Sequence, residues 1–404
     1  MKHLEDYRGI VSDVILADLH KRAARLYDRH IVHVNSTAQG GGVAEILYTL
    51  VPLMNDVGVD CGWRVLLGGN DFFNVTKAFH NGLQSEPLSL TDQKKHVYTE
   101  TNENFAAFNH FDRHDAVVIH DPQPLPMIQY YKKRQPWIWR CHIDLTAPDP
   151  ELWEYLKGYI LRYDLVIVSH EKYLRPDLPV EQRVVNPAID PLNQKNIDLP
   201  DETVARYVDR FNIPLDKPFI MQVSRFDKWK DPEGVIEVFK RVVEQVDCRL
   251  VLAGNMATDD PEGIEMFEHI KLVAADLVKS GKVIMVVGAS DTEINALQRV
   301  SSVILQKSLR EGFGLTVAEA MWKETPVVAS RVGGIPLQVI DGETGFLVDP
   351  TDYDQCAEKV VALLKDRGMA DEMARRAKEH VRENFLMTRL LGHDLALLAE
   401  LTSG

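Results

Sequence analysis

REGFGLTVAEAMWKETPVVASRVGGIPLQVIDGETGFLV, residues 310–348, is the stretch from which the rest of the chain is read. SVILQ at 302–306 precedes it and PVVAS at 326–330 lies within it, both apolar enough for buried strands. Between these strands Gly312-Phe313-Gly314-Leu315 makes a tight glycine-rich turn that feeds a helix carrying Thr316 and, about one turn in, Glu319. Glycine lets backbone approach a ligand closely, and the exposed N–H groups at a helix start suit an anionic phosphate. Glu311 and Glu319 flank the turn, eight positions apart. A carboxylate on the ligand side of that helix can accept two hydrogen bonds from the vicinal hydroxyls of a ribose. Taken singly, Glu311 also reads as a carboxylate at a helix start and Glu319 as part of a solvated face.

Outward from this unit the pattern repeats. FIMQVS at 219–224, RLVLAG at 249–254 and KVIMVVG at 282–288 read as strands of the same half. In the first half IVHVN at 31–35, RVLLG at 64–68, AVVIH at 116–120, WIWRC at 137–141 and LVIVSH at 165–170 read likewise. Continuous apolar runs separated by crossover-length helices imply α/β architecture, with parallel sheets covered on both faces. The stretch 187–216 is polar, contains proline and lacks a strand, so it marks the seam between two doubly wound units. Ahead of the first strand, Val11, Ile15, Leu19 and Leu26 fall on one helical stripe. It reads as an extra helix packed on the body or as a subunit contact, which would make the chain a homodimer.

Two cations follow the FIMQVS strand. Arg225 and Lys230 in QVSRFDKWKDP stand where they could neutralise a diphosphate as it leaves, with Lys228 as the competing choice. In the first half NSTAQGGGVAEI places Gly40, Gly41 and Gly42 after a strand and before a helix, again an anion-friendly start or else a structural turn. No Lys-Ser/Thr follows, so it is no Walker loop, and its spacing is not that of a dinucleotide fingerprint. RCHIDLT sets His142 and Asp144 at a strand's carboxyl end, where ligands bind in open α/β sheets, though a lone strand-end histidine is often structural. HDPQP offers Asp121 and Gln123 to sugar hydroxyls. Asp352-Tyr353-Asp354, the one obvious Asp-x-Asp, precedes a helical stretch and reads as an N-cap cluster rather than a metal site.

Two glutamates separated by seven residues around Gly-Phe-Gly, followed by a Gly-Gly-x-Pro turn and an Asp-Gly-x-x-Gly-Phe/Leu-Val strand, resemble the retaining glycosyltransferases of family 4, which have the GT-B fold. The leading segment HLEDYRGIVSDVILADLHKRAARLYDRHIVHVNSTAQGGGVAEIL is similar to the trehalose-forming branch of that family. The resemblance implies two Rossmann-like doubly wound parallel-sheet domains facing a deep cleft. Residues 1–190 would form an N-terminal acceptor-side domain, with a leading helical segment at 1–30, 191–210 a linker and 211–385 a nucleotide-sugar-binding domain. A final helix at 386–404 would cross back to the first domain. It further implies transfer of glucose, with retention, from ADP-, UDP- or GDP-glucose to free glucose, giving α,α-trehalose. Arg225 and Lys230 would hold the donor phosphates, Glu311 the glucosyl hydroxyls, Glu319 the ribose and His142 the transferred sugar, with Gly41 and Gly42 facing donor and acceptor. Gly312, Phe313, Gly314, Leu315 and Thr316 complete the donor list, and Asp121, Gln123 and Asp144 are the acceptor-side candidates. Another acceptor, or a non-catalytic nucleotide-sugar sensor, stays open.

The 404 residues carry a formal net charge of −14, which argues against nucleic acid or an anionic membrane as a main partner. The longest apolar runs are far short of the ~20 residues that span a bilayer, and the N-terminus has no apolar signal core. Four cysteines without a Cys-x-x-Cys pair read as buried free thiols. The expectation is therefore a cytoplasmic enzyme with no cofactor and no essential metal. A glycosidase would leave Arg225 and Lys230 without a role. A nucleotide-sugar epimerase or dehydrogenase would need a glycine fingerprint that is absent.

Overall fold

The computed structural model describes residues 2–38, 41–254 and 261–403. The chain divides into two compact units, one made of Met1–Ala188 and Met387–Gly404, the other of Ile189–Leu386.

In the first unit the strands are β1 (His30–Asn35), β2 (Asp60–Val65), β3 (Ala116–His120), β4 (Trp137–Cys141), β5 (Leu165–Val168) and β6 (Glu181–Val184). They form one parallel sheet in the order β2-β1-β3-β4-β5-β6. The order reverses between β1 and β3, which makes their carboxyl ends the place where a doubly wound sheet opens a crevice. β1, β3, β4 and β5 are buried almost throughout, the Val/Ile-rich signature of a sheet covered on both faces.

Two expectations need correction here. The second strand is Asp60–Val65 rather than 64–68: Asn55 clasps the backbone of Cys61 at its start, and Leu67, beyond its end, is 81% exposed. An edge strand needs one covered face, so the more apolar neighbouring run misleads. In the leading helix, Asp13–Ala23, Ile15 points outward at 43% exposure. The buried stripe is Leu16, Leu19 and Ala23, continued by Leu26, because Ser12 caps the helix and fixes its phase. The final helix, Met387–Thr402, belongs to this unit. Asp394 receives the Arg140 guanidinium at 2.9 and 3.1 Å, and Arg22 donates to the carbonyl of Gly392.

The second unit holds β7 (Phe219–Val223), β8 (Arg249–Gly254), β9 (Val283–Val287), β10 (Val303–Gln306), β11 (Val327–Ser330) and β12 (Phe346–Val348). Their order is β12-β11-β10-β7-β8-β9, all parallel, so the reversal falls between β7 and β10. Residues 191–210, read above as a linker, are part of this unit: Asn295 and Arg299 bond the carbonyls of 194, 196 and 197, and Arg210 pairs with Glu293. No helix among the described residues is long and apolar enough to cross a membrane. All four cysteines are free and buried, and burial pushes the Cys248 thiol up to about 11 and Cys356 up to about 12.

Candidate active site

The loops after β7 and β10 meet at the reversal point of the second sheet. The amide of Leu309 donates to the carbonyl of Trp229 at 2.8 Å and ties the two loops together. This brings Lys230, on the first loop, into an ion pair with Glu311, on the second, and Ser308 donates to the same carboxylate oxygen at 3.3 Å. Arg225, half-exposed, reaches Asp227 at 3.3 Å, and Lys228 lies over the Trp229 ring. The β7 loop is held by a device that the sequence did not announce. Lys307 is wholly buried and pairs with Asp231, the residue after Lys230, while also donating to the Pro350 carbonyl at 2.5 Å. Asp231 sits in left-handed backbone at φ 47° and caps the Pro232–Val243 helix through Gly234, so Lys230 enters on a fixed turn.

The glycine turn behaves as its composition requires. Gly314 has φ 83° and starts the Leu315–Trp322 helix, a conformation open to glycine and strained for other residues. Gly334 packs so tightly on it that an added Cβ would fall 2.9 Å from the Gly312 carbonyl oxygen. Gly334 N donates to that oxygen at 3.0 Å, and Gln338 bonds the carbonyls of Phe313 and Gly314. The Gly-Gly-x-Pro turn is thus a brace for Gly312, Phe313 and Gly314. Leu315 and Thr316 are the first two residues of the helix and stay partly exposed. Glu319 is only 4% exposed, and its backbone carbonyl accepts from Lys323 Nζ at 3.0 Å. It is therefore no solvated surface residue.

In the first unit, Gly41 has φ 109° and begins the Gly42–Asp56 helix after β1; Gly40 lies outside the described residues. His142 and Asp121 come together: the His142 amide donates to the Asp121 carboxylate at 2.7 Å. Asp121 holds left-handed backbone at φ 62°, and burial raises its carboxyl to about 7. Asp144 is buried and accepts from the amide and hydroxyl of Thr146, so it also shapes its own loop. Gln123 contributes its carbonyl to Asn102. Sequence reasoning missed the two histidines behind His142. His142 Nε2 lies 3.0 Å from His120 Nδ1, and His120 Nε2 lies 3.0 Å from His33 Nδ1. No local signal announced the row, since His33 and His120 lie on strands that only the sheet order sets side by side. Among the described residues no group of three or more His, Cys, Asp or Glu is placed to hold a metal. Asp352 caps the Tyr353–Lys365 helix and Asp354 pairs with Arg241 at 2.6 Å.

Comparison with known proteins follows the same division. A family model described as trehalose synthase, N-terminal domain, matches residues 33–175, and one for glycosyl transferases group 1 matches 205–380. Trehalose synthase of Thermococcus litoralis is 48% identical over 98% of this chain and 97% of its own length. The chain belongs to the trehalose synthase family. It is accordingly a glycosyltransferase. Trehalose phosphorylase of Pleurotus pulmonarius is 30% identical over 94% of this chain but only 58% of the phosphorylase. Among solved structures, sucrose-phosphate synthase from Thermosynechococcus elongatus superposes with a TM-score of 0.75 at 19% identity, covering 93% of this chain and all of that one. A structure described as trehalose-6-phosphate from E. coli bound with UDP-2-fluoro glucose gives 0.74 at 16% identity, covering 92% and 99%. These likenesses establish the GT-B fold, with its two doubly wound parallel sheets.

Proposed function

We propose that this trehalose synthase family member transfers a glucosyl unit, with retention, from a nucleoside-diphosphate glucose to free glucose, giving α,α-trehalose and the nucleoside diphosphate. The observation that carries the reading is the arrangement at the β7–β10 reversal. A cation and a carboxylate, Lys230 and Glu311, stand side by side next to a glycine turn whose helix carries the largely buried Glu319.

In this reading Arg225 and Lys230 bind the diphosphate and stabilise its charge as the bond from C1 to phosphate oxygen breaks. Glu311 holds the glucosyl hydroxyls, and Glu319 accepts from the ribose. The backbone N–H groups of Gly314, Leu315 and Thr316 face phosphate. His142 of the first unit contacts the transferred sugar, with Asp121, Gln123 and Asp144 assigned to the acceptor side. Attack by the acceptor hydroxyl on the face the phosphate leaves forms the new C1–oxygen bond, and the acceptor's proton passes to the departing phosphate oxygen. No metal is given a step, and the donor's base is left as adenine, uracil or guanine.

Kinetics of two amides test the assignment. Glu319 meets a group remote from the reacting bond, so Glu319→Gln raises the donor KM with kcat little changed. Glu311 touches the ring where charge develops, so Glu311→Gln lowers kcat. Loss of kcat at Glu319 with donor affinity intact would remove the ribose role. The phosphorylase likeness favours one second reading, in which orthophosphate takes the place of the nucleotide. Release of glucose 1-phosphate from trehalose and phosphate, with no nucleotide present, would select it.

A further inference from the structure

The three histidines of the first unit form one continuous hydrogen-bonded row on a single face of the sheet. His33 is on β1, His120 ends β3, and His142 follows β4. The His120 and His142 ring planes are 13° apart with centroids 5.4 Å apart, and those of His33 and His120 are 31° and 5.3 Å apart. Burial pushes His33 and His142 down to about 3 and His120 well below its ordinary value, with the nearby Arg140 adding to the effect, so all three rings are neutral at physiological pH. A neutral imidazole has one N–H and one lone pair. With two bonds in the row, the three tautomers are locked to one another, and only two arrangements satisfy both bonds. In one, each ring donates towards His142, which then carries its proton on Nδ1. In the other, every ring is reversed and His142 presents a bare Nδ1.

The far end of the row distinguishes them. His33 Nε2 is buried without a hydrogen-bond partner, and so is Nη2 of Arg140, whose guanidinium is held by Asp394. The Arg140 charge acts on the His33 ring, so a lone pair on the buried Nε2 is attracted, whereas an N–H there is repelled. We propose that His33 and His120 are positioning residues: under the Arg140 charge they lock His142 with its proton on Nδ1, so that a hydrogen-bond donor faces the transferred sugar. The proposal rests on the assignment of His142 to that sugar and deepens it. It explains two histidines that neither the hydrophobic core nor the substrate needs. It also specifies what His142 recognises, namely an oxygen that can accept, such as a sugar hydroxyl.

The test begins with the unaltered full-length protein. With 15N-labelled histidine, long-range proton–nitrogen correlation spectra at neutral pH read each ring's tautomer. His142 protonated on Nδ1, with His120 and His33 in the same sense, is the expected result. A His142 protonated on Nε2, or averaging between tautomers, overturns the proposal whatever the variants do. Kinetics then follow. His33→Leu lowers kcat/KM roughly tenfold, the worth of one misdirected hydrogen bond. His33→Asn, whose amide N–H replaces the Nδ1 donor, recovers most of that loss. In a His142→Ala background His33→Leu costs nothing further, because its whole effect passes through His142. An equal loss in that background overturns the positioning role. Full activity of His142→Ala by itself would instead remove the sugar contact assigned above, an outcome the tautomer spectra do not share.

Discussion

Replacing Lys307 by methionine is the perturbation that best probes how the site is built. Lys307 is 0% exposed, and its ammonium is shared between Asp231 and the Pro350 carbonyl, under the Tyr353 ring. Methionine fills nearly the same volume, so the loss is almost wholly electrostatic. Removing one member of a buried pair costs about 3–5 kcal/mol, because the other is left uncompensated. Asp231 keeps its bond from Gly234 and retains 13% exposure, which places the expected loss near the lower end, at about 3 kcal/mol. For a unit of this size that lowers the thermal midpoint by about 6–12 °C. Asp231→Asn keeps the helix cap and tolerates the left-handed backbone, yet strands the Lys307 charge, so it is expected to be comparably damaging. The double variant, lacking both charges, recovers much of the loss. Denaturant melts of the four proteins read the coupling directly. A loss below about 1 kcal/mol for Lys307→Met, or strict additivity in the double variant, would refute the claim that this pair organises the loop carrying Lys230.

Arg225→Ala and Lys230→Ala are each expected to lower kcat/KM by roughly 10²–10³-fold, the usual worth of one preorganised contact to a developing anion. Lys228→Ala should cost far less; a reversed ranking would shift the phosphate contacts within the loop. For pH, the buried His33 and His142 have folded values near 3, below their unfolded 6.5, so the stability they confer is present above 6.5 and drains as pH falls towards 3. Asp121, raised to about 7, acts in the opposite sense: its contribution is full below about 4 and is lost as pH rises through 7. Two rings outweigh one carboxyl, so melts between pH 6.5 and 4 should show falling stability. His33→Asn should flatten the slope and Asp121→Asn steepen it; a flat wild-type profile would contradict this. Activity is expected to survive EDTA, since the diphosphate is assigned to Arg225 and Lys230 and the one Asp-x-Asp is committed to a cap and an ion pair. Complete loss restored by Mg²⁺ would overturn that assignment.

The sequence was legible wherever one physical demand dominated. Central strands such as Ala116–His120 and Trp137–Cys141 are buried on both faces, so their apolar runs match the strands residue for residue. The edge strands did not read so well. Glu181–Val184 pairs with β5 alone and is largely polar, and Asp60–Val65 is only half-covered. Glu311, Lys230 and the glycine turn were visible because turn chemistry and charge coincide within short segments. The pairing of Lys307 with Asp231 and the histidine row were not. Each joins residues far apart in the chain, at positions where a lone lysine or histidine carries no local signature. Only the sheet order, which sets β7 beside β10 and β1 beside β3, brings them together.

Product analysis tests the proposed glucosyl transfer without intermediaries. The purified protein is incubated with ADP-, UDP- or GDP-glucose and with free glucose carrying 13C at C1, and the sugars are resolved by NMR. The expected product is a non-reducing disaccharide with both anomeric carbons in the α configuration, formed only when glucose is present and in step with release of nucleoside diphosphate. Free glucose released from the donor with no disaccharide, or a product with an inverted linkage, would contradict it.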